Sequence, residues 1–278
     1  MAWLGQPVLV DELLFKTQHG IVDQSLHARM GAEPTNGDGF GMGWYGAGDG
    51  PAVYRSVSPA WADANLRELA AHVEAPLFLA HIRAAIGSPV QQTNCHPFRH
   101  GNWLFVHNGY IAEFDLLRRD LMLAVDPELF TGIEGSTDTE VVFHLALSHG
   151  LESDPVAALE RMAGHVEDVG AAHGIDHPLQ MSVAVTDGER IVAARYSSEG
   201  RSRSLSFSTD ARTLKRQHPE DPRMELLSDE ARVIVSEPLG DMVDAWNEVP
   251  EAHIGIVQPG DDELRPFRPR RAAATASV

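Results

Sequence analysis

Four short segments of the chain carry side chains that could handle a small polar substrate. They are Asn36-Gly37-Asp38-Gly39-Phe40-Gly41, Ala80-His81-Ile82-Arg83-Ala84-Ala85, Asn94-Cys95-His96-Pro97-Phe98 and Phe105-Val106-His107-Asn108-Gly109. An arginine fork can take a carboxylate on two parallel N–H bonds, an asparagine amide can donate to an oxygen, and Cys95 is the one thiol. Taken singly, each segment has a plainer reading. Asn-Gly and Asp-Gly are hairpin-turn signals. Arg83 after an apolar run reads as a strand-end ion pair, and His107 before Asn108-Gly109 as a satisfied histidine at a turn. Only the order and spacing of all four carry weight.

The elements that must position these residues follow from hydrophobic periodicity. Residues 39–45 and 52–57 read as two strands joined by a glycine-rich turn. Residues 61–74 place Leu66, Leu69, Ala70 and Val73 at helical spacing. Two short apolar runs, 77–82 and 103–107, fit buried strands, the second ending at Asn108-Gly109. Helical patterns follow at 113–124, 138–149 and 155–172. The middle one opens on Thr137-Asp138-Thr139-Glu140, a capping box ahead of Val141, Val142 and Leu145. Strands return at 180–186, 190–196, 205–208, 232–236 and 253–257. Strands, then helices, then strands again predict helices layered on sheets.

Composition narrows the class. The 278 residues include 43% hydrophobic and 22% charged side chains, enough apolar surface for a full core. A formal charge of -18, from 40 acidic against 22 basic residues, disfavours partnership with nucleic acid or an anionic membrane. One cysteine leaves no disulfide and no multi-cysteine zinc site, and no metal-ligand cluster stands out among the 14 histidines. With no signal-like start and no long apolar run, the expected compartment is the cytoplasm.

In this order the segments, together with Ser136-Thr137-Asp138-Thr139-Glu140, resemble the class II glutamine amidotransferases of the N-terminal-nucleophile hydrolases, and among them the small stand-alone members. The strong motifs run from Trp3 to Ser153, and a looser likeness continues to Ser236-Glu237-Pro238-Leu239. The resemblance implies an α+β fold, a four-layer αββα sandwich of two antiparallel sheets covered by helices. It would span residues 1–267, with 268–278 a disordered tail. It implies that Arg83 clamps a substrate α-carboxylate and that Asp138 takes the α-ammonium. Asn108 and Gly109 would form the oxyanion hole, with His96 and His107 along the substrate pocket. No cofactor is implied. The expected ligand is glutamine or a γ-glutamyl compound, and a separate synthase subunit is a partner the likeness allows.

Such enzymes attack the γ-amide with the thiol of a cysteine that becomes residue one, and its own α-amine, of pKa ~7.7–8.0, accepts the proton. The family opening is Met-Cys-Arg, a few residues, then Leu-Gly. Here the chain reads Met1-Ala2-Trp3-Leu4-Gly5, with alanine at position 2. Cys95 is internal, its nitrogen is an amide, and it reads as a buried structural thiol. His96 beside it would point to the opposite face. The expectation is a true start a few residues upstream, with Met1 standing where the family has an apolar residue. The alternative is a binding or sensor protein that kept the pocket and lost the nucleophile.

Overall fold

The computed structural model describes residues 1–30, 34–85, 87–217, 220, 228–240 and 242–271. In chain order its elements are β1 (Ala2–Leu9), α1 (Val10–Leu14), α2 (Ile21–Leu26), β2 (Phe40–Tyr45), β3 (Ala52–Ser56), α3 (Ala64–His72) and β4 (Glu74–Ile82). Then come β5 (Phe98–His100), β6 (Trp103–Ile111), α4 (Phe114–Leu123), α5 (Pro127–Phe130), α6 (Asp138–Ser148) and α7 (Pro155–Ala172). The last third holds β7 (Leu179–Thr186), β8 (Ile191–Ser197), β9 (Ser206–Ser208), α8 (Ala211–Gln217), β10 (Arg232–Val235), β11 (Trp246–Glu248), β12 (His253–Val257) and β13 (Glu263–Pro266).

The strands form two antiparallel sheets, one in the order β11-β9-β10-β1-β4-β2-β3 and the other β13-β12-β8-β7-β6-β5. Side chains alternate across a strand, and here both faces are covered. On β4, Leu77 and Leu79 enter the core between the sheets while Phe78 and Ala80 enter the core under α1, α2 and α3. On β6, Leu104 and Val106 meet the first sheet, and Phe105 turns to α4, α6 and α7. Each fully buried Leu or Phe contributes about 1.5–3 kcal/mol, so three apolar layers hold four layers of backbone. The αββα sandwich is the architecture observed. Among the described residues no helix is long and apolar enough to cross a membrane.

Three local readings need correction. Asn108-Gly109 is not a turn: both residues lie inside β6, opposite Ser182 and Met181 of β7. The capping box is half formed. The Thr137 hydroxyl accepts from Glu140 N at 3.2 Å, but the Glu140 carboxylate accepts from Glu134 N and Gly135 N instead of reaching back to Thr137. The expected tail at 268–278 begins too early. Arg268 N and Arg270 Nε donate to the Glu160 carboxylate at 3.2 and 2.7 Å, and Arg271 pairs with Asp168 at 2.6 Å, which lays residues 268–271 along α7. Residues 272–278 lie outside the described residues.

Candidate active site

Beyond the end of β5, the edge of β6 is free of strand pairing. β5 covers only Trp103, Leu104 and Phe105. Past it, His107 N donates to His96 Nδ1 at 3.4 Å and Ile111 N to Asp138 Oδ2 at 2.8 Å. Alternate N–H groups of a strand point to the same edge, so the Gly109 N–H points there too, between those two anchors. The Asn108 side-chain amide makes no hydrogen bond among the described residues. Glycine is required at 109: a Cβ would stand 2.0 Å from the Gln180 carbonyl oxygen and 2.5 Å from His107 Nε2. Successive residues of β6 thus bring one donor side chain and one backbone N–H to the lining of a single cavity.

Arg83 stands just past β4. Its backbone is strapped to the Asn36–Gly39 segment, with Arg83 N donating to Gly39 O at 2.9 Å and Asp38 N to Arg83 O at 3.0 Å. Gly39 sits at φ +112°, a conformation that favours glycine. That segment is therefore a lead-in to β2 laid against Arg83, not a hairpin turn. Arg83 is 4% exposed, and its guanidinium donates to Ser88 Oγ at 2.7 Å, Pro89 O at 3.1 Å, Asp38 O at 3.3 Å and Ser88 O at 3.5 Å. Among the described residues it has no carboxylate partner, so the expected strand-end ion pair does not form.

Asp138 is the first residue of α6, where a carboxylate complements the helix dipole. One oxygen accepts from Ile111 N and the other from Thr139 N at 2.7 Å. Two N–H bonds leave acceptor capacity on an ionised carboxylate. A cavity of about 260 Å³ joins these groups, with Met1, Arg83, Asn108, Gly109 and Asp138 among its lining residues. Its size lies just below the ~300–1,000 Å³ usual for ligand pockets, which suits an amino-acid-sized group.

His81, His96 and His107 also line the cavity. His107 is buried, with Nδ1 against Thr139 Oγ1 at 2.9 Å and Nε2 against Gln180 O at 3.3 Å, so both ring nitrogens are engaged with protein. Burial holds its pKa down, opposed by the nearby Asp138 charge. His96 packs against His81 at 4.0 Å between ring centroids with the rings tilted by 34°, and burial drives its pKa well below the ordinary value. Burial likewise brings His81 to about 3 and the Met1 α-amine to about 5. At neutral pH these groups are uncharged. Cys95 is buried, its thiol donating to Ser56 O at 3.4 Å, and burial raises its pKa, which makes it a poor thiolate.

Two lining residues escaped the sequence reading, Arg203 and Glu237. Glu237 is buried and its carboxylate takes Arg29 N at 3.0 Å, Met30 N at 2.9 Å and the His19 ring. It holds the segment that forms one rim of the cavity. Its place in Ser236-Glu237-Pro238-Leu239 was a usable signal. Arg203, in a polar run between β8 and β9, offered none.

A sequence profile described as "Glutamine amidotransferases class-II" matches residues 15–274. The chain belongs to this family. A class II amidotransferase relative, the "Probable glutamine amidotransferase DUG3" of Saccharomyces cerevisiae, is 34% identical over 292 residues, covering 94% of this chain and 82% of that protein. The "Gamma-glutamyl-hercynylcysteine sulfoxide hydrolase" of Mycobacterium tuberculosis is 25% identical over 258 residues, covering 91% of this chain and 90% of that one. Among solved structures, a glutamine aminotransferase class-II domain protein from Silicibacter pomeroyi superposes with a TM-score of 0.74 at 32% identity, over 97% of this chain and 98% of that one. The two-sheet class II amidotransferase architecture therefore extends over nearly the whole chain.

Proposed function

We propose that the cavity holds the γ-glutamyl group of glutamine or of a γ-glutamyl amide, and that the γ-amide bond is cleaved when a nucleophilic cysteine precedes β1. The observation that carries this reading is Arg83, a buried cation with no carboxylate partner among the described residues, which shares one cavity with the Asp138 carboxylate and the free Asn108 amide. An α-amino acid brings the missing anion and a cation for Asp138. Its γ-carbonyl oxygen would lie toward Asn108 and Gly109, whose donors would stabilise an oxyanion by roughly 2.7–4 kcal/mol each. The name of the M. tuberculosis relative, a hydrolase of a γ-glutamyl conjugate, agrees with this substrate class.

Strand register supports the position of the nucleophile. Met1 N donates to Ala80 O and Ala80 N to Met1 O, both at 2.9 Å, so these residues form a paired rung. β4 continues as His81 and Ile82, followed by Arg83. Extending β1 in register would set the third added residue opposite Arg83. In an opening Met-Cys-Arg-Xaa placed before Met1, that residue is the cysteine, which methionine removal turns into residue one. Its sulfur would attack the γ-carbonyl carbon while the thiol proton passes to its α-amine. The C–N bond then breaks, the departing amine takes that proton, and water hydrolyses the thioester to glutamate.

The test is to add Met-Cys-Arg-Xaa ahead of Met1 and measure glutamate release from glutamine and from γ-glutamylglycine. Release that is lost on changing the added cysteine to alanine supports the reading. Binding without release would leave a glutamine-binding protein, and absence of both would overturn the assignment.

A further inference from the structure

The cavity has a second guanidinium. Arg203 lies between β8 and β9, and its position is set by β7: its carbonyl accepts from Ser182 Oγ at 3.0 Å, and its Nε donates to Gln180 Oε1 at 3.2 Å. Gln180 and Ser182 pair with Tyr110 and Asn108, so they flank the rung that holds Gly109. Arg203 is therefore anchored one strand away from the oxyanion donors and lines the same cavity. Among the described residues no carboxylate pairs with it. In a chain with 40 acidic residues some half-buried arginines find acids, Arg195 pairing with Glu248 at 2.5 Å and Arg232 with Asp262 at 2.6 Å. Arg55, Arg118 and Arg161 share with Arg203 the lack of a carboxylate partner among the described residues; of these four, Arg203 alone lines the cavity.

Glutamine gives Arg203 nothing to bind. Its single carboxylate belongs to Arg83 in the reading above, and its leaving group is ammonia. We propose that Arg203 forms a leaving-group subsite for a second carboxylate, so that the preferred substrates are γ-glutamyl amides whose amine half is itself an amino acid or short peptide. This rests on the assignment of Arg83 to the α-carboxylate. The net charge of -18 sharpens the need for such a residue, because the overall field opposes entry of a substrate with two carboxylates and a local cation must offset it. Among the described residues no acid pairs with Arg203, so its fork can take a carboxylate on two N–H bonds.

The experiment is isothermal titration of the full chain with glutamine, γ-glutamylglycine and γ-glutamylglycinamide, the last differing only in a blocked carboxylate. The expected result is that γ-glutamylglycine binds about 10- to 100-fold tighter than its amide. In Arg203→Gln that ratio should fall to near one. In Arg203→Lys part of it should survive, since lysine keeps the charge and loses the fork. Equal affinities for the two dipeptides, with glutamine still bound, would overturn the subsite alone. Failure of all three to bind would overturn the Arg83 assignment and the subsite with it.

Discussion

Replacing Arg83 by methionine should cost binding while leaving the stability of the free protein nearly unchanged. Methionine keeps an unbranched side chain of similar reach and removes the charge. The loss of a charge-assisted pair to the substrate carboxylate costs about 1.5–3 kcal/mol, so the Kd for glutamine should rise about 10- to 150-fold. In the free protein the balance differs. Four hydrogen bonds disappear, to Ser88 Oγ, Ser88 O, Pro89 O and Asp38 O. Each contributes a net ~1 kcal/mol. Against them stands the desolvation of the guanidinium of a residue that is 4% exposed and has no carboxylate partner among the described residues, an effect of several kcal/mol per buried ion. The two sides nearly cancel, so the stability of the free variant should stay within about 1–2 kcal/mol of the wild type. Urea denaturation without ligand and titration calorimetry with glutamine read the two quantities separately. Wild-type affinity in the variant would refute the substrate assignment. A stability loss above about 2 kcal/mol together with lost binding would make Arg83 a structural post.

Two further outcomes follow from groups around the cavity. The Met1 α-amine, taken by burial from 8.0 to about 5, and His81, taken from 6.5 to about 3, are bases held neutral by the fold. The unfolded chain binds their protons first, so stability falls as pH drops from 8 to about 5 through Met1 and further toward about 3 through His81. The Met1 share amounts to about 4 kcal/mol, and urea melts should show it shrink when residues are added ahead of Met1; an unaltered slope would contradict the burial. Glu237→Gln should expose the Arg29 and Met30 amides to hydrogen exchange while the β6–β7 ladder stays protected, at a cost of about 1.5–3 kcal/mol. Unchanged protection at Arg29 and Met30 would show that the carboxylate does not hold that rim.

The parts of the site that were legible in the sequence are those in which a local motif and a long-range contact agree. Thr137 caps α6 and Asp138 begins it, so the pattern gave both the helix and the residue at its mouth. α7 matched its apolar spacing because most of its length is buried against the second sheet. Asn108-Gly109 misled because turn preference is a statement about an isolated dipeptide. Here the glycine serves the close approach of the Gln180 carbonyl, which belongs to a strand some seventy residues away. β1 was missed since Ala2 and Trp3 are buried on opposite faces and give no alternation. Arg203 could not be read because strand pairing, not spacing, brings it to Asn108.

The order of strands sets a condition on how the molecule is made. β1 lies between β4 and β10, and Ala2 pairs with both Leu79 and Ile234. Glu237 then ties the cavity rim at Arg29 and Met30 across more than two hundred residues. β1 thus waits for a strand more than two hundred residues further along before it acquires its second neighbour, and such distant closures are slow to form. A nascent chain stopped before β10 would carry Arg83 and Asn108 yet lack a finished chamber, so the cavity should arise late, once β10 has joined β1.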